Sequence, residues 1–240
     1  MLLFFWNIAY LFKQRFDHLR YILKTNALTF ATMKIISNDE NRYFIINKPH
    51  NMVSQFISSH NVKLLGHMDF NFPEGTHAIG RLDSTSEGLL ILTTDKTVTR
   101  KLFLAKQAHT RSYLVMVQHK MTEEIFLKLQ QGVSIPINDT ENYFATPYSV
   151  QIITDPTALY KYATDPRELY PHTWLLITLT EGKFRQVRKM VLSVKHRCLR
   201  LIRLSISNIL LADLAPGKVK ELQEDEFYNL LKEPEKIPFN

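Results

Sequence analysis

A charged loop followed by a short apolar run constrains this chain more than any other feature. Arg81 and Asp83 lie in a polar stretch, and residues 89–92 then read Leu-Leu-Ile-Leu. Gly88 precedes this run and Thr93 follows it, which is typical of a short buried strand. A carboxylate at the edge of a core strand is costly to bury unpaired. The pattern therefore predicts a positively charged partner for Asp83 elsewhere in the chain.

Composition indicates an ordinary globular protein with a basic surface. Of the 240 residues, 45% are hydrophobic and 22% are charged, which provides a substantial core and excludes a disordered chain. The formal net charge of +7 favours polyanionic partners, such as nucleic acid or an acidic membrane face. A single cysteine, Cys198, excludes a disulfide framework and a cysteine-rich metal site, and it indicates a reducing, cytoplasmic location.

Residues 1–32 differ in composition from the rest of the chain. The apolar residues 1–12 are followed by a stretch with four basic residues and one acidic residue. The apolar run is shorter than the roughly 20 residues of a membrane span, and it lacks the features of a signal peptide. Three interpretations stay open: translation that starts at Met33, a loosely packed extension, or a helix for targeting or for a membrane surface.

After Met33 the hydrophobic pattern alternates between short strands and a few helices. Strands are expected over residues 43–47, 52–56, 89–92, 111–117, 133–137, 146–153, 174–180 and 198–209. Helices are expected from Thr94 or Asp95 through Phe103, and over residues 121–131 and 224–232, with loops at 58–76 and 154–172. A further, basic helix is expected to start within residues 181–190 and to reach about Val194. Because most neighbouring strands are joined by short connections, the order favours an α+β fold with a mixed, mostly antiparallel sheet and flanking helices.

A basic segment follows the strand expected at residues 174–180. It contains four cations: Lys183, Arg185, Arg188 and Lys189. The segment begins after Gly182 at a strand-to-helix junction, where free backbone N–H groups and the helix dipole favour anions. Arg200 and Arg203 follow on the next expected strand. From these features alone, an RNA- or DNA-binding face and an ordinary solvated charged face are equally compatible with the sequence.

Tyr113 is a further candidate for a functional residue. Alternation along its strand places Tyr113 on one face with Val115 and Val117. An aromatic residue there is usually part of a core, but it can also stack on a nucleobase. The nine histidines show no metal-ligand spacing, and the chain has neither a glycine-rich phosphate loop nor a Gly-x-Ser-x-Gly elbow. These absences argue against a zinc enzyme, a P-loop or dinucleotide-binding enzyme, and an α/β-hydrolase.

Five motifs follow one another along the chain. They are Asn47-Lys-Pro49 with Val53-Ser-Gln-Phe56, Gly80-Arg-Leu-Asp83 with Ser86-Glu-Gly-Leu89, Tyr113-Leu-Val115, Glu181-Gly-Lys183 with Arg185-Gln-Val-Arg188, and Leu199-Arg-Leu-Ile-Arg203. In this order they resemble the pseudouridine synthases that modify ribosomal RNA, in the subgroup of small-subunit synthase A. The Ser-Glu-Gly sequence after Asp83, and Trp174 before the Glu-Gly-Lys turn, resemble large-subunit members of that subgroup that lack an S4 RNA-binding domain.

The resemblance implies the pseudouridine synthase fold, in which the mixed sheet and its flanking helices surround a central RNA-binding cleft. It implies that residues 33–240 form the catalytic domain and that residues 1–32 are an extension outside it. It further implies an isomerase that flips a specific uridine of large-subunit ribosomal RNA and converts it to pseudouridine. Such an enzyme is expected to act as a cytoplasmic monomer, without a metal, a cofactor or a membrane partner.

The resemblance also assigns roles to individual residues. Asp83 is expected to be the nucleophile of a reaction that detaches uracil from ribose, rotates it and rejoins it through carbon. Tyr113 is expected to stack on the uracil and take part in a proton transfer, Arg188 to pair with the catalytic carboxylate, and Leu201 to pack on the other face. Arg81 is expected to fill the space that the flipped uridine leaves. The remaining cations are expected to hold phosphates: Lys183, Arg185, Lys189, Arg200 and Arg203.

The sequence departs from the usual pattern of the family at residue 184, at residues 195–198 and at residue 207. Phe184 stands where Asn is common, residues 195–198 read Lys-His-Arg-Cys instead of Gly-Phe-Pro-Thr, and Ser207 replaces a common Gly. These departures fall on turns and on the RNA-facing rim, so they bear on the RNA site more than on the chemistry.

Two alternatives come from other functional classes. A non-catalytic RNA-binding factor in ribosome assembly would need the basic face but no carboxylate such as Asp83. A glycosidase would need a second carboxylate within a few ångströms of Asp83, and Glu87 is the nearby candidate in the sequence.

Overall fold

The computed structural model describes residues 41–104 and 109–232. The predicted extension at residues 1–32 lies outside the described residues. The described strands are β1 (Tyr43–Lys48), β2 (His77–Ile79), β3 (Glu87–Thr93), β4 (Arg111–Gln118), β5 (Val133–Pro136), β6 (Asn142–Ala145), β7 (Ser149–Ile153), β8 (His172–Leu179), β9 (Cys198–Ile206), β10 (Ile209–Leu210) and β11 (Val219–Leu222). The described helices are α1 (Thr97–Leu104), α2 (Glu123–Gln131), α3 (Pro156–Leu159), α4 (Gln186–Ser193) and α5 (Glu224–Leu230), with short 3-10 helices at Leu65–His67 and Pro166–Leu169.

One mixed sheet runs through the described part of the chain. Its main path is β11-β1-β3-β9-β4-β8-β7, with β2 paired to β3 and β10 paired to β9. β5 and β6 form a separate hairpin. Among the described strands every pairing is antiparallel except that of β3 with β9, where Glu87 lies beside Ile202 and Gly88 beside Arg203. The prediction of a mixed, mostly antiparallel α+β fold is confirmed.

Strand β4 lies inside the sheet and carries core residues on both of its faces. Leu114 and Met116 pack in a cluster that also contains residues of α1 and α5. Tyr113, Val115 and Val117 lie on the opposite face, in a cluster that contains residues of α2 and α4. The predicted alternation is confirmed, and each large apolar side chain buried in this way contributes roughly 1.5–3 kcal/mol. This packing places α4, which carries Arg188, against the face of the sheet that carries Tyr113.

The strand predicted at residues 52–56 is wrong. Met52 makes only an isolated bridge to Lys63, and the described strands include none of these residues. The backbone of this segment bonds to a neighbouring loop instead, since the Leu65 N–H donates to the Gln55 carbonyl at 2.9 Å. An alternating apolar pattern is shared by strands and by ordered loops that cover a core, so the pattern alone did not separate them.

The loop predicted at residues 154–172 contains two short helical turns, namely α3 and the second 3-10 helix. Each turn is preceded by an aspartate, Asp155 or Asp165, whose side chain accepts hydrogen bonds from N–H groups of the first turn, and each has Pro near its first position. This is the usual chemistry of a helix start. The sequence signal was present, but the turns are too short to show helical periodicity.

The strand predicted over residues 198–209 is divided by a turn. Ser207 has a φ of 48° and ends the run between β9 and β10, which pair with each other. A turn at this point lets the chain double back on the sheet. β2, β6 and β11 have three or four residues each, and sequence periodicity did not predict them.

We expect Gly88→Ala to lower the free energy of unfolding by roughly 3 kcal/mol or more. Gly88 has a φ of +98°, and an added Cβ would lie 2.4 Å from the carbonyl oxygen of Arg203. Urea denaturation measures the loss. Gly75→Ala is the matched control, because Gly75 has a φ of +80° and nothing within 4 Å of an added Cβ. Equal losses in the two variants would contradict a clash between β3 and β9.

Candidate active site

The loop that carries Asp83 is fixed against the core by its neighbour Leu82. Leu82 N–H donates to the Ser54 hydroxyl at 3.0 Å, and the same hydroxyl donates to the Leu82 carbonyl at 2.9 Å. The Leu82 side chain is buried in the cluster that packs under β1 and β3. Ser86 N–H closes the turn by donating to the Asp83 carbonyl at 3.0 Å. The backbone of Asp83 is therefore held while its side chain remains 29% exposed.

Arg188 is the better anchored of two cations beside the Asp83 carboxylate. Its Nε lies 3.8 Å from Asp83 Oδ2, and its side chain is 13% exposed. Its Nη2 donates to the Thr85 carbonyl at 3.0 Å and to the Ser86 hydroxyl at 3.2 Å. The loop that carries the carboxylate thus also fixes its partner, although the two residues are far apart in the sequence.

Arg185 is the second cation, and it was predicted to hold phosphate. Its Nε lies 3.7 Å from Asp83 Oδ2, while its side chain is 50% exposed. Arg185 is the residue before α4 and has a φ of 53°. Both ion pairs are longer than a hydrogen bond, so the carboxylate oxygens keep their capacity to bind a ligand.

Tyr113 and Leu201 line the same cleft as Asp83, and the volume of this cleft is about 850 Å³. They come from adjacent strands, since Leu201 lies opposite Val115 and Arg203 opposite Tyr113 in the pairing of β4 with β9. Both side chains are largely buried, at 8% and 5% exposure. An aromatic and an aliphatic surface beside a carboxylate suit a flat ring such as a nucleobase.

Arg203 lies inside the protein instead of on an outer face. It is 4% exposed, and its Nε donates to the Leu89 carbonyl at 2.8 Å. Burial lowers the pKa of the Arg203 guanidinium, while the neighbouring Tyr113 acts in the opposite direction. Arg203 also lines the cleft, and it lies opposite Tyr113 in the pairing of β4 with β9. This position fits the joining of β3 to β9 and does not fit the phosphate contact that the sequence analysis predicted.

Arg200 also has a structural partner. It forms a two-point ion pair with Glu87, at 2.9 and 2.8 Å, and the two side chains are 11% and 13% exposed. Its Nη1 donates to the carbonyls of Tyr162 and Thr164. A guanidinium held in this way is poorly placed to hold phosphate. The arrangement also neutralises Glu87, which does not line the cleft, and this argues against the glycosidase alternative.

The remaining predicted cations are Arg81, Lys183 and Lys189. Arg81 and Lys183 are exposed and line the cleft. Lys183 Nζ lies 4.1 Å from the centre of the Tyr143 ring. Lys189 Nζ donates to the Pro136 carbonyl at 2.7 Å, which joins α4 to the hairpin of β5 and β6. The structure thus groups Asp83 with two arginines, and Tyr113 and Leu201 line the same cleft as Arg81 and Lys183.

Comparison with known proteins identifies the family. Residues 42–193 match the RNA pseudouridylate synthase family. The chain is also 36% identical over 193 residues to ribosomal large subunit pseudouridine synthase E of Vibrio vulnificus (strain CMCP6), covering 79% of this chain and 78% of that protein. The chain belongs to the RNA pseudouridylate synthase family. The predicted family and enzyme class are thereby confirmed.

Other relatives of the synthase include both large- and small-subunit enzymes. Ribosomal large subunit pseudouridine synthase E of Xanthomonas axonopodis pv. citri (strain 306) is 34% identical over 176 residues, covering 72% of this chain and 89% of that protein. Ribosomal small subunit pseudouridine synthase A of Escherichia coli (strain K12) is 26% identical over 191 residues, covering 79% and 74%. A crystal structure of a pseudouridylate synthase matches with a TM-score of 0.62 at 22% identity, over 80% of this chain and 74% of that chain, which supports the fold.

Lys48 is a buried residue of the synthase to which the sequence analysis gave no role. Its ammonium donates to the carbonyls of Met52 at 2.6 Å, Pro49 at 2.9 Å and Ser84 at 3.4 Å. It therefore ties the end of β1 to the loop next to Asp83. Burial lowers the pKa of the Lys48 ammonium to about 8, against the opposing effect of the nearby carboxylates. Its place within the motif Asn47-Lys-Pro49 was the feature of the sequence that could have indicated a role for Lys48.

The lowered pKa of Lys48 makes the free energy of unfolding of the synthase depend on pH above neutrality. Between pH 8 and 10.5 the unfolded chain binds a proton at Lys48 that the folded chain has released. The free energy of unfolding should therefore rise across this range, by up to about 3 kcal/mol. Urea denaturation at each pH, for the wild type and for Lys48→Met, measures the difference. Parallel pH curves for the two proteins would contradict this assignment.

No group of three His, Cys, Asp or Glu side chains among residues 41–104 and 109–232 has a geometry that could hold a metal ion. No helix in the same ranges is both long and apolar enough to span a bilayer.

Proposed function

We propose that this synthase converts a specific uridine of large-subunit ribosomal RNA to pseudouridine, with Asp83 as its nucleophile. The observation that carries the proposal is the position of the Asp83 carboxylate in a cleft that Tyr113 and Leu201 also line, with two arginine Nε atoms at 3.7 and 3.8 Å. The names of the large-subunit relatives support the choice of RNA. We further propose that the enzyme acts as a monomer in the cytoplasm, where ribosomal subunits are assembled.

The reaction rearranges atoms that the substrate already contains. The bond between N1 of uracil and C1′ of ribose breaks, and a bond between C5 and C1′ forms. N1 gains a proton, and C5 releases one to solvent. Since the product is an isomer of the substrate, the net change requires no oxidant, reductant or transferred group. The protein has to supply a carboxylate, hold the ring while it turns, and move a proton.

Each of these tasks has a candidate residue in the cleft. Asp83 acts on the nucleoside, and the adjacent Arg188 stabilises the negative charge of the carboxylate. Tyr113 and Leu201 hold opposite faces of the uracil and keep it in place between bond cleavage and bond formation. The Tyr113 hydroxyl is the candidate for the later proton transfer.

A uridine reaches Asp83 only after it leaves its stack in the RNA. Unstacking a base costs a few kcal/mol, which contacts to the flanking RNA must offset. Arg81 lies exposed at the edge of the cleft and is placed to occupy the vacated position. Lys183 and Lys189 provide charge for the phosphates on either side.

Mapping pseudouridines in ribosomal RNA from a strain that lacks the protein tests the proposal. We expect one position of the large-subunit RNA to lose its modification, and plasmid-borne wild-type protein to restore it. A plasmid that encodes Asp83→Asn should not restore it. A full set of modifications in the deletion strain, or a loss confined to small-subunit RNA, would contradict the proposed substrate.

A further inference from the structure

Phe184 is a large apolar side chain in an unusual position. It is 70% exposed, yet it lines the cleft and lies between Lys183 and Arg185. An exposed aromatic ring surrounded by cations gains nothing from the core and is subject to the hydration cost of apolar surface.

The loop that presents Phe184 is held by a hydrogen-bond network. The Lys183 N–H donates to Gln186 Oε1 at 2.9 Å, and the Gln186 amide donates to Glu181 Oε1 at 2.5 Å. Glu181 Oε2 accepts from the Tyr143 hydroxyl at 2.6 Å. Gln186 is 3% exposed, so the network lies on the protein side of the loop. A loop ordered in this way presents the ring at little entropic cost to a ligand.

The Phe184 ring lies close to a positively charged side chain, as the aromatic rings of RNA-binding sites do. Lys189 Nζ lies 5.5 Å from the centre of the Phe184 ring, and the anchored position of Lys189 against Pro136 keeps its charge near that ring. A stacking aromatic beside cations is the usual arrangement for unpaired nucleotides, because the ring binds a base while the cations hold phosphates.

We infer that Phe184 forms a second nucleobase site, which stacks on an unpaired base close to the target uridine. Phe184 lines the same cleft as Asp83, and the Nε of the next residue, Arg185, lies 3.7 Å from the Asp83 carboxylate. The inference rests on the proposed function, because the ligand of Phe184 is the RNA substrate whose uridine reacts at Asp83. Phe184 contributes affinity and selects substrates in which a flanking base is free to stack.

The experiment compares steady-state turnover of the full chain with four variants. Unmodified transcripts of large-subunit, small-subunit and transfer RNA, labelled with tritium at C5 of uridine, identify the RNA that the wild type modifies. That RNA is then used for every variant. If it is not large-subunit RNA, the proposed substrate fails while the role of Phe184 is still tested.

We expect Phe184→Ala to raise KM about 10-fold, equivalent to ~1.4 kcal/mol, with kcat changed by less than about 3-fold. Phe184→Tyr, which keeps a stacking ring, should stay within about 2-fold of the wild type, and Phe184→Leu should resemble the alanine variant. Phe144→Ala is the matched control, since Phe144 is 61% exposed and does not line the cleft. The salt dependence of binding should not change in Phe184→Ala, because no phosphate contact is lost.

A second measurement identifies the base. Short synthetic RNAs carry an abasic nucleotide at each position flanking the target uridine in turn. One such position should raise the KM of the wild type about 10-fold and leave the KM of Phe184→Ala unchanged. A wild-type KM for Phe184→Ala or Phe184→Leu would overturn the inference. So would full additivity, in which the abasic RNA raises the KM of Phe184→Ala as much as it raises the KM of the wild type. An effect seen only on ribosomal particles, and not on naked transcript, would assign Phe184 to a protein contact and also overturn it.

Discussion

Asp83→Asn is expected to reduce pseudouridine formation by at least about 10⁴-fold, since the change removes the proposed nucleophile. The fold should not change. The side chain is 29% exposed, and its carboxylate lies beyond hydrogen-bond distance of the two arginine Nε atoms. The contacts that fix the loop come from the backbone of Asp83 and from Leu82, and asparagine preserves both.

Single-turnover release of tritium from C5-labelled transcript measures the chemical step, and urea denaturation and RNA affinity are measured on the same protein. Asp213→Asn is the matched control, because the Asp213 side chain is 86% exposed and its carboxylate lies 3.9 Å from Lys161 Nζ. Turnover of Asp83→Asn within about 10-fold of the wild type would refute the nucleophile assignment. If Asp83→Asn lowers the free energy of unfolding enough to account for its loss of activity, Asp83 has a structural role.

Sequence reasoning predicted the elements whose signal is local. The strand after Asp83 and the alternation along β4 both depend on neighbouring residues, and the structure confirms both. The helix start near Asp95 is likewise a local signal, since the Asp95 carboxylate accepts from the Thr97 N–H at 2.8 Å. Very short elements such as β2 have too few residues to show a period.

The roles of Arg200 and Arg203 depend on distant partners and were not predictable from local sequence patterns. Arg200 and Arg203 looked the same as the cations of α4, because a basic residue on a strand gives no indication of its partner. The fold pairs Arg200 with Glu87 and places Arg203 against β3, through the parallel contact at Gly88. That contact joins segments more than a hundred residues apart, and no periodic pattern encodes it.

The two arginines beside Asp83 should differ strongly when each is replaced. We expect Arg188→Gln to lower kcat roughly 100-fold, because it removes a 13% exposed cation that is held by Thr85 and Ser86. Arg185→Gln should lower kcat by less than about 5-fold, because its 50% exposed guanidinium is screened by solvent. Single-turnover tritium release compares the chemical step in the two variants directly.

Arg188→Lys separates the charge of Arg188 from its geometry. Lysine keeps the positive charge near Asp83 but cannot reproduce the arrangement of Nε beside the carboxylate and Nη2 on the loop carbonyl of Thr85. If charge alone stabilises the carboxylate, this variant should recover most of the activity that Arg188→Gln loses. If the loop contact is also needed, recovery should be partial and the variant should unfold at lower urea. Equal losses for Arg185→Gln and Arg188→Gln would contradict the distinction, because the nearly equal distances of 3.7 and 3.8 Å would then matter more than burial.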